Sequence, residues 1–257
     1  MHRAACLVLP LLLALACGGE DSTPSTTAAG DDLSGSLTVL AAASLTDAFE
    51  EVAAAFEEAH AGVEVALSFD GSARLATAIV EGAPADVLAS ADEANLQRVV
   101  DEGLTAGSPT VFATNVVQIV VPEGNPLGIT TLDDLVESGV RLSLCAPGVP
   151  CGTYTDQAFA AAGLVRPAAG DQESVKGVLT QVQLGEADAG LVYVTDVAAA
   201  EGVEGVDLAP GEQVAATYPA AVLSEGSHPD AAAAFVAFLV GEDAQAIFER
   251  HGFGPRP

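Results

Sequence analysis

The chain has 257 residues, half of them hydrophobic, with 26 Gly and 14 Pro; this suffices for one large domain or two small ones around a packed core, and it excludes disorder beyond the ends. The charge is extreme, 36 acidic residues against 8 basic ones for a net −28, with Lys176 the only lysine. A nucleic-acid partner is thereby excluded, because phosphate backbones need Lys and Arg to displace counterions, and any anionic ligand has to be held by local dipoles rather than by net attraction.

The first residues, "MHRAACLVLPLLLALACGGEDS", open with His2 and Arg3 and continue with an apolar stretch from Ala4 to Ala16. That stretch is shorter than the roughly 20 residues a bilayer span takes, so residues 1–17 are expected to be a secretory signal. Its end, "LALAC", resembles the lipobox of bacterial lipoproteins, in which the Cys, here Cys17, becomes the lipidated first residue of the mature chain; Ala14 stands where such boxes usually carry a bulkier aliphatic residue. Cleavage without lipidation would instead leave a freely soluble extracytoplasmic protein. Residues 18–36 hold no periodic apolar pattern and are expected to form a flexible tether.

Beyond the tether, strand-like and helix-like segments alternate. Candidate strands are 37–41, 63–67, 86–89, 116–121, 141–145 and 190–194; candidate helices are 45–60, 72–81, 92–101, 131–138, 153–163, 174–184, 230–240 and 242–250. The first pair sets the pattern. In "LTVLAAASLTDAFEEVAAAFEEAH" Leu37, Val39 and Leu40 suit a buried strand, whereas Leu45, Ala48, Phe49, Val52, Ala53 and Phe56 recur at helical spacing. Such alternation predicts βα units, an α/β fold with mainly parallel sheets and helices on both faces. No internal repeat, nucleotide-binding glycine fingerprint or phosphate loop is visible.

In sheets of this kind ligands bind beyond the carboxyl ends of the strands, where helix starts converge. Four predicted helix starts carry small or hydroxyl-bearing residues: Ser44, Gly71 with Ser72, Gly152 with Thr153, and Ser174 with Val175. Each by itself is explained by capping, and Ser44 with Asp47 three residues on reads as a capping box. Together they offer another use. A helix start presents N–H groups without intrahelical partners and the positive end of the helix dipole, so several aimed at one point cradle an anion without any cation. At about 1.5–3 kcal/mol per charged hydrogen bond, five to seven such donors hold a dianion against its dehydration. Donors alone also favour sulfate, molybdate or tungstate over hydrogen phosphate, whose proton needs an acceptor; Asp70, close in sequence to Ser72, is the carboxylate that would reverse this.

Of the four cysteines, Cys6 lies in the leader and Cys17 at its end, leaving Cys145 and Cys151 in "CAPGVPC". Outside the cytoplasm these two are expected to form a disulfide closing a tight Pro/Gly loop, two reduced thiols being the alternative. No CxxC pair or HExxH motif supports a zinc site.

The segments "LTVLAAASLTDAFEEVAAAFE", "GAPADVLASAD", "PCGTY", "ESVKGVLTQVQLGEADAGLVYVTD" and "AQAIFERHGF" together resemble the molybdate-binding component of bacterial ABC importers, from about residue 37 to 254. The resemblance implies a two-lobed type II periplasmic binding protein whose chain crosses twice between α/β lobes, with the oxyanion in the cleft. One lobe would be 37–115 with 220–257, the other 116–219, with "VVQIVVP" and "TYPAAVL" as hinge strands. It also implies contacts to molybdate, with tungstate alongside, from Ser44 and Ser72 through hydroxyl and N–H, from Cys151 and Val175 through N–H, and from the Tyr193 hydroxyl. Molybdenum would enter only within the bound oxyanion. Position 151 is commonly a small residue in this family; a backbone donor tolerates Cys there. The resemblance further implies no cofactor and no catalysis, a monomer outside the cytoplasm, and an ABC permease that recognises the closed form.

Other readings make different demands. Another oxyanion such as sulfate, or a small organic acid, would use the same fold. A ferric site needs clustered tyrosines and carboxylates, and only Tyr154, Tyr193 and Tyr218 exist. An extracytoplasmic enzyme would need Cys151 as a thiolate with His60, His228 or His251 as base. A ligand-free adhesion or signalling module would make the four helix starts coincidental.

Overall fold

The order of apolar residues fixes the first layers. The computed structural model describes residues 33–257 apart from Ser138, with His2 alone before them; the signal, Cys6, Cys17 and most of the tether lie outside the described residues. The tether ends sooner than expected, since Gly35 and Ser36 already belong to β1 (Gly35–Ala42). A 3-10 turn (Ala43–Leu45) leads into α1 (Thr46–Ala59), followed by β2 (Val63–Asp70), α2 (Ser72–Val80), β3 (Val87–Ala89) and α3 (Glu93–Asp101). Alternation along β1 sends Val39 into one core with Phe49, Phe56 and Phe235, and Leu40 into another with Leu75, Ile79, Leu88 and Leu96. Helices on both faces follow from a strand that is apolar on both.

The chain then runs into β4 (Thr110–Pro122), α4 (Leu132–Leu135), β5 (Leu142–Cys145), α5 (Pro150–Ala161), β6 (Gly170–Gln172), α6 (Val175–Gln183), β7 (Ala189–Tyr193), α7 (Val194–Ala198) and β8 (Val203–Val206). It ends with β9 (Ala215–Val222), α8 (Pro229–Leu239) and α9 (Glu242–Arg250). The strand order is β2-β1-β3-β9-β4-β7-β5-β6, with β8 on β4. Within each half the βα units pair in parallel, β1 with β2 and β3, and β5 with β6 and β7. The sheets are nevertheless mixed, because β4 and β9 run against their neighbours. Residues Thr110–Val116 of β4 pair with β9, and from Val117 onward the same strand pairs with β7 and β8. One long strand thus belongs to both half-sheets.

Three differences from the sequence reading have local causes. Helix α5 starts at Pro150 rather than 153, because proline lacks an N–H and suits the first helical position; Gly152 and Thr153 are therefore inside the first turn. Tyr193 ends β7 and Val194 already begins α7, a residue earlier than the strand expected over 190–194. Strand β9 carries Pro219, which reads as a breaker; it is tolerated beside an irregularity in the β4 register between Val111 and Ala113.

Candidate functional site

The 3-10 turn after β1, the start of α2, the residue Ala91 after β3, the starts of α5 and α6, and the end of β7 line a single pocket. Its walls are Ala42, Ala43, Ser44, Gly71, Ser72 and Ala91 from one half-sheet, and Val149, Pro150, Cys151, Ser174, Val175 and Tyr193 from the other. All five residues expected at the site, Ser44, Ser72, Cys151, Val175 and Tyr193, are brought together, and among the described residues no charged side chain lines it. The cavity is small, about 10 Å³ of room for the centres of water-sized spheres, which leaves no space for an extended organic solute.

Ser44 and Ser72 are not caps. Helix α1 is capped at Leu45 without any side-chain bond, so the Ser44–Asp47 capping box does not form. Ser44 sits instead in the 3-10 turn, its Oγ 3.0 Å from the Tyr218 hydroxyl. Asp47 turns to Lys176, Oδ2 to Nζ 3.0 Å. Ser72 is the first residue of α2, and its Oγ accepts from the Ala91 N–H at 3.0 Å, which leaves its own proton to point elsewhere. The side-chain cap of this group is Ser174, whose Oγ accepts from Gly177 N–H at 3.3 Å. Val175 is the first residue of α6 and Cys151 the second of α5, positions whose N–H groups have no partner in their own helix.

Tyr193 completes the lining. Its hydroxyl is buried and, among the described residues, has no hydrogen-bond partner. Burial first, and then Tyr218 nearby, holds its pKa well above the usual tyrosine value, so the group is a neutral donor. A buried hydroxyl without a partner is costly unless a ligand supplies an acceptor.

The charges that could spoil or serve such a site are committed elsewhere. Asp70 Oδ1 accepts from Gly71 N–H at 2.7 Å and its Oδ2 lies 3.3 Å from Arg74 Nε, so it offers no acceptor to the pocket. Arg74 Nη1 also reaches Glu173 Oε2 at 2.6 Å. Lys176 is shared by Asp47 and by Asp196, whose Oδ1 is 3.7 Å away. Both basic side chains tie one half of the molecule to the other. Asp196 is fully buried and its carboxyl is pushed up to about 6, chiefly by burial and against the pull of Lys176; its Oδ2 accepts from Tyr193 N–H at 3.2 Å.

Cys151 carries no thiol. It forms a disulfide with Cys145, their Cα atoms 5.7 Å apart, and none of His60, His228 or His251 lines the pocket. The nucleophilic-cysteine reading therefore lacks its nucleophile. The ferric reading fares no better: Tyr154 Oη accepts from Thr217 N–H at 3.3 Å, Tyr218 faces Ser44, and among the described residues no group of three His, Cys, Asp or Glu is placed to hold a metal ion.

Residues 37–254 match the profile of the family described as bacterial extracellular solute-binding protein. The chain belongs to this family. Among its relatives, the molybdate-binding protein ModA of Mycobacterium tuberculosis is 40% identical over 251 residues, covering 96% of this chain and 95% of that one. The protein of the same name from Escherichia coli is 36% identical over 231 residues, 85% of this chain and 89% of its own. The solved structure of the Azotobacter vinelandii periplasmic molybdate-binding protein superposes with a TM-score of 0.76 over 86% of this chain and all of that one, at 23% identity, and establishes the shared fold. The two-lobed architecture of this solute-binding family accounts for the long β4 strand common to both half-sheets.

Several lining residues were not foreseen as contacts: Ala42, Ala43, Ala91, Val149 and Pro150, and behind them Tyr218. The first five present backbone or small apolar surface, which leaves no chemical mark in a sequence. Tyr218 reaches Ser44 from 174 positions away, a contact only the folded chain reveals.

Proposed function

We propose that this solute-binding protein captures molybdate, and tungstate with it, outside the cytoplasm and delivers it to an ABC permease. The two lobes are taken as residues 37–115 with 220–257 and residues 116–219, and the anion sits between them. Contacts come from the hydroxyls and N–H groups of Ser44 and Ser72, the N–H groups of Cys151 and Val175, and the hydroxyl of Tyr193.

The observation that carries this reading is a pocket lined by donors without a charged side chain, into which the unpartnered Tyr193 hydroxyl is built. A fully deprotonated dianion satisfies every donor, whereas hydrogen phosphate would set its own proton against another. Two relatives of high coverage bearing the name molybdate-binding protein support the choice within that class. Because Ser44 and Ser72 come from one lobe and Cys151, Val175 and Tyr193 from the other, the anion favours the closed form, in which all donors are available. The permease would read that closed shape, and the chain itself catalyses nothing and holds no cofactor. It acts as a monomer, lipid-anchored through Cys17 if the leader is processed as its end suggests.

Thermal unfolding with molybdate, tungstate, sulfate and phosphate tests this. An anion at a hundred times its dissociation constant adds about 2.7 kcal/mol, and molybdate and tungstate are expected to reach that gain at the lowest concentrations. A larger effect of sulfate would assign the site to sulfate; no effect of any of the four would overturn the reading.

A further inference from the structure

Tyr218 does not line the pocket, yet its position bears on which way the Ser44 proton points. The chain of contacts starts at a group whose polarity is beyond doubt, a backbone amide. Val116 N–H donates to Asn115 Oδ1 at 2.9 Å, which fixes the side-chain amide so that Nδ2 faces the other way. Asn115 Nδ2 lies 2.8 Å from Thr195 Oγ1 and, at a longer 3.5 Å, from Tyr218 Oη. An amide nitrogen only donates, so Tyr218 cannot give its proton in that direction. Tyr218 is fully buried, and a buried hydroxyl proton is almost always used. Among the described residues the acceptor in reach is Ser44 Oγ, 3.0 Å away. Burial keeps the phenol neutral over the whole physiological range, so that this proton is always present.

We propose that Tyr218 and Asn115 are positioning residues that lock the Ser44 hydroxyl as a donor toward the pocket, and thereby reject anions carrying a proton. Ser44 Oγ receives the Tyr218 proton, so its own O–H turns to the pocket. Ser72 is locked in the same sense by a different donor, the Ala91 N–H. Tyr193, with no acceptor among the described residues, makes the third hydroxyl of the same polarity. Selectivity against hydrogen phosphate then depends on a residue that never touches the anion.

This inference rests on the oxyanion reading above, and its test separates the two. Molybdate and phosphate affinities are measured by titration calorimetry at a mildly alkaline pH where phosphate is the hydrogen-phosphate dianion, for wild type, Tyr218→Phe, Ser44→Ala and the double variant. In Tyr218→Phe the Ser44 hydroxyl is free to rotate and accept, so the molybdate-to-phosphate affinity ratio is expected to fall about tenfold. In the Ser44→Ala background the same substitution should leave the ratio unchanged, since the relay has lost its last member. A merely structural role for Tyr218 would weaken both anions alike and leave the ratio intact, which would overturn the relay; so would an equal drop in ratio with Ser44 absent. Unfolding curves without anion establish that each variant folds. A wild type that binds no molybdate would instead remove the oxyanion reading, and the relay with it.

Discussion

Gly71, at the start of α2, packs so closely beneath Glu173, in the segment before α6, that a Cβ at position 71 would collide with the Glu173 carbonyl oxygen. Its φ of −61° is open to any residue, so the requirement is for space and not for glycine's freedom. The collision lies between the two halves of the molecule, beside the Arg74–Glu173 ion pair.

Gly71→Ala is therefore expected to act as a wedge. In an open form the methyl has room, so unliganded stability should change by less than about 1 kcal/mol, while closing on the anion must push backbone aside. Molybdate affinity should fall tenfold or more, since each factor of ten is only about 1.4 kcal/mol. Calorimetric titration reads this directly; an unchanged affinity would mean that the lobes do not close as they stand here.

Each of the two serines is expected to serve both the anion and the fold. If the proposed contacts hold, Ser44→Ala and Ser72→Ala each remove a charged hydrogen bond to the anion and should weaken binding by about 1.5–3 kcal/mol. Ser72→Ala also strands the buried Ala91 N–H, and Ser44→Ala the buried Tyr218 O–H, so each should lower the unliganded melt by about 1 kcal/mol or more. If both lower the melt and leave the anion-induced gain intact, they serve the fold alone.

How much of this was legible in the sequence depended on what the signal was made of. Helical and strand periodicity located β1, α1 and α6 within a residue or two, because one apolar face repeats regularly. The short β6 and β8, with polar or glycine residues at half or more of their positions, carry no period to detect. Of the five candidate contacts, the helix starts alone pointed to Ser44, Ser72 and Val175, while Cys151 and Tyr193 were implied by the family resemblance. The polarity of the site was not visible, since the donors behind Ser44 and Ser72 are Tyr218 and the Ala91 amide, brought near only by folding. Capping statistics pointed the wrong way for Ser44, where a 3-10 turn precedes the helix and moves the cap to Leu45.

The Cys145–Cys151 disulfide closes a short loop, with a sequence separation of 6, directly before the Cys151 N–H. Arg166 steadies the same loop, donating to Cys145 O at 2.6 Å and to Asp156 Oδ1 at 2.8 Å. Replacing both cysteines by serine should cost about 2 kcal/mol of stability through the freed unfolded chain. Molybdate affinity should also fall severalfold, because the donor is less well aimed. Chemical unfolding and titration of the double variant measure the two effects; a stability loss with no change in affinity would detach the loop from the site.

Asp196 gives a pH dependence with a definite sign. Its carboxyl is raised from 3.8 to about 6, so the folded state binds a proton that the unfolded chain has released. Stability from this group is complete below about pH 4, declines as pH rises, and levels off above about 6. The span corresponds to something on the order of 3 kcal/mol. Asp196→Asn, which keeps the shape and removes the titration, should gain on wild type across that window in unliganded unfolding experiments, and run parallel to it at higher pH. A constant difference from pH 4 to 7 would show that Asp196 does not titrate there.

The central claim is that a dianion is gripped by hydroxyls and amides from both halves of an acidic protein, with no cation in contact. A crystal structure of the protein with molybdate, with molybdenum located by its anomalous scattering, tests it most directly. The metal is expected between Ser44, Ser72, Cys151, Val175 and Tyr193, its oxygens within hydrogen-bond distance of the three hydroxyls and the backbone N–H groups. Molybdenum found outside this pocket, or with Lys176 or Arg74 turned inward against its oxygens, would contradict the account.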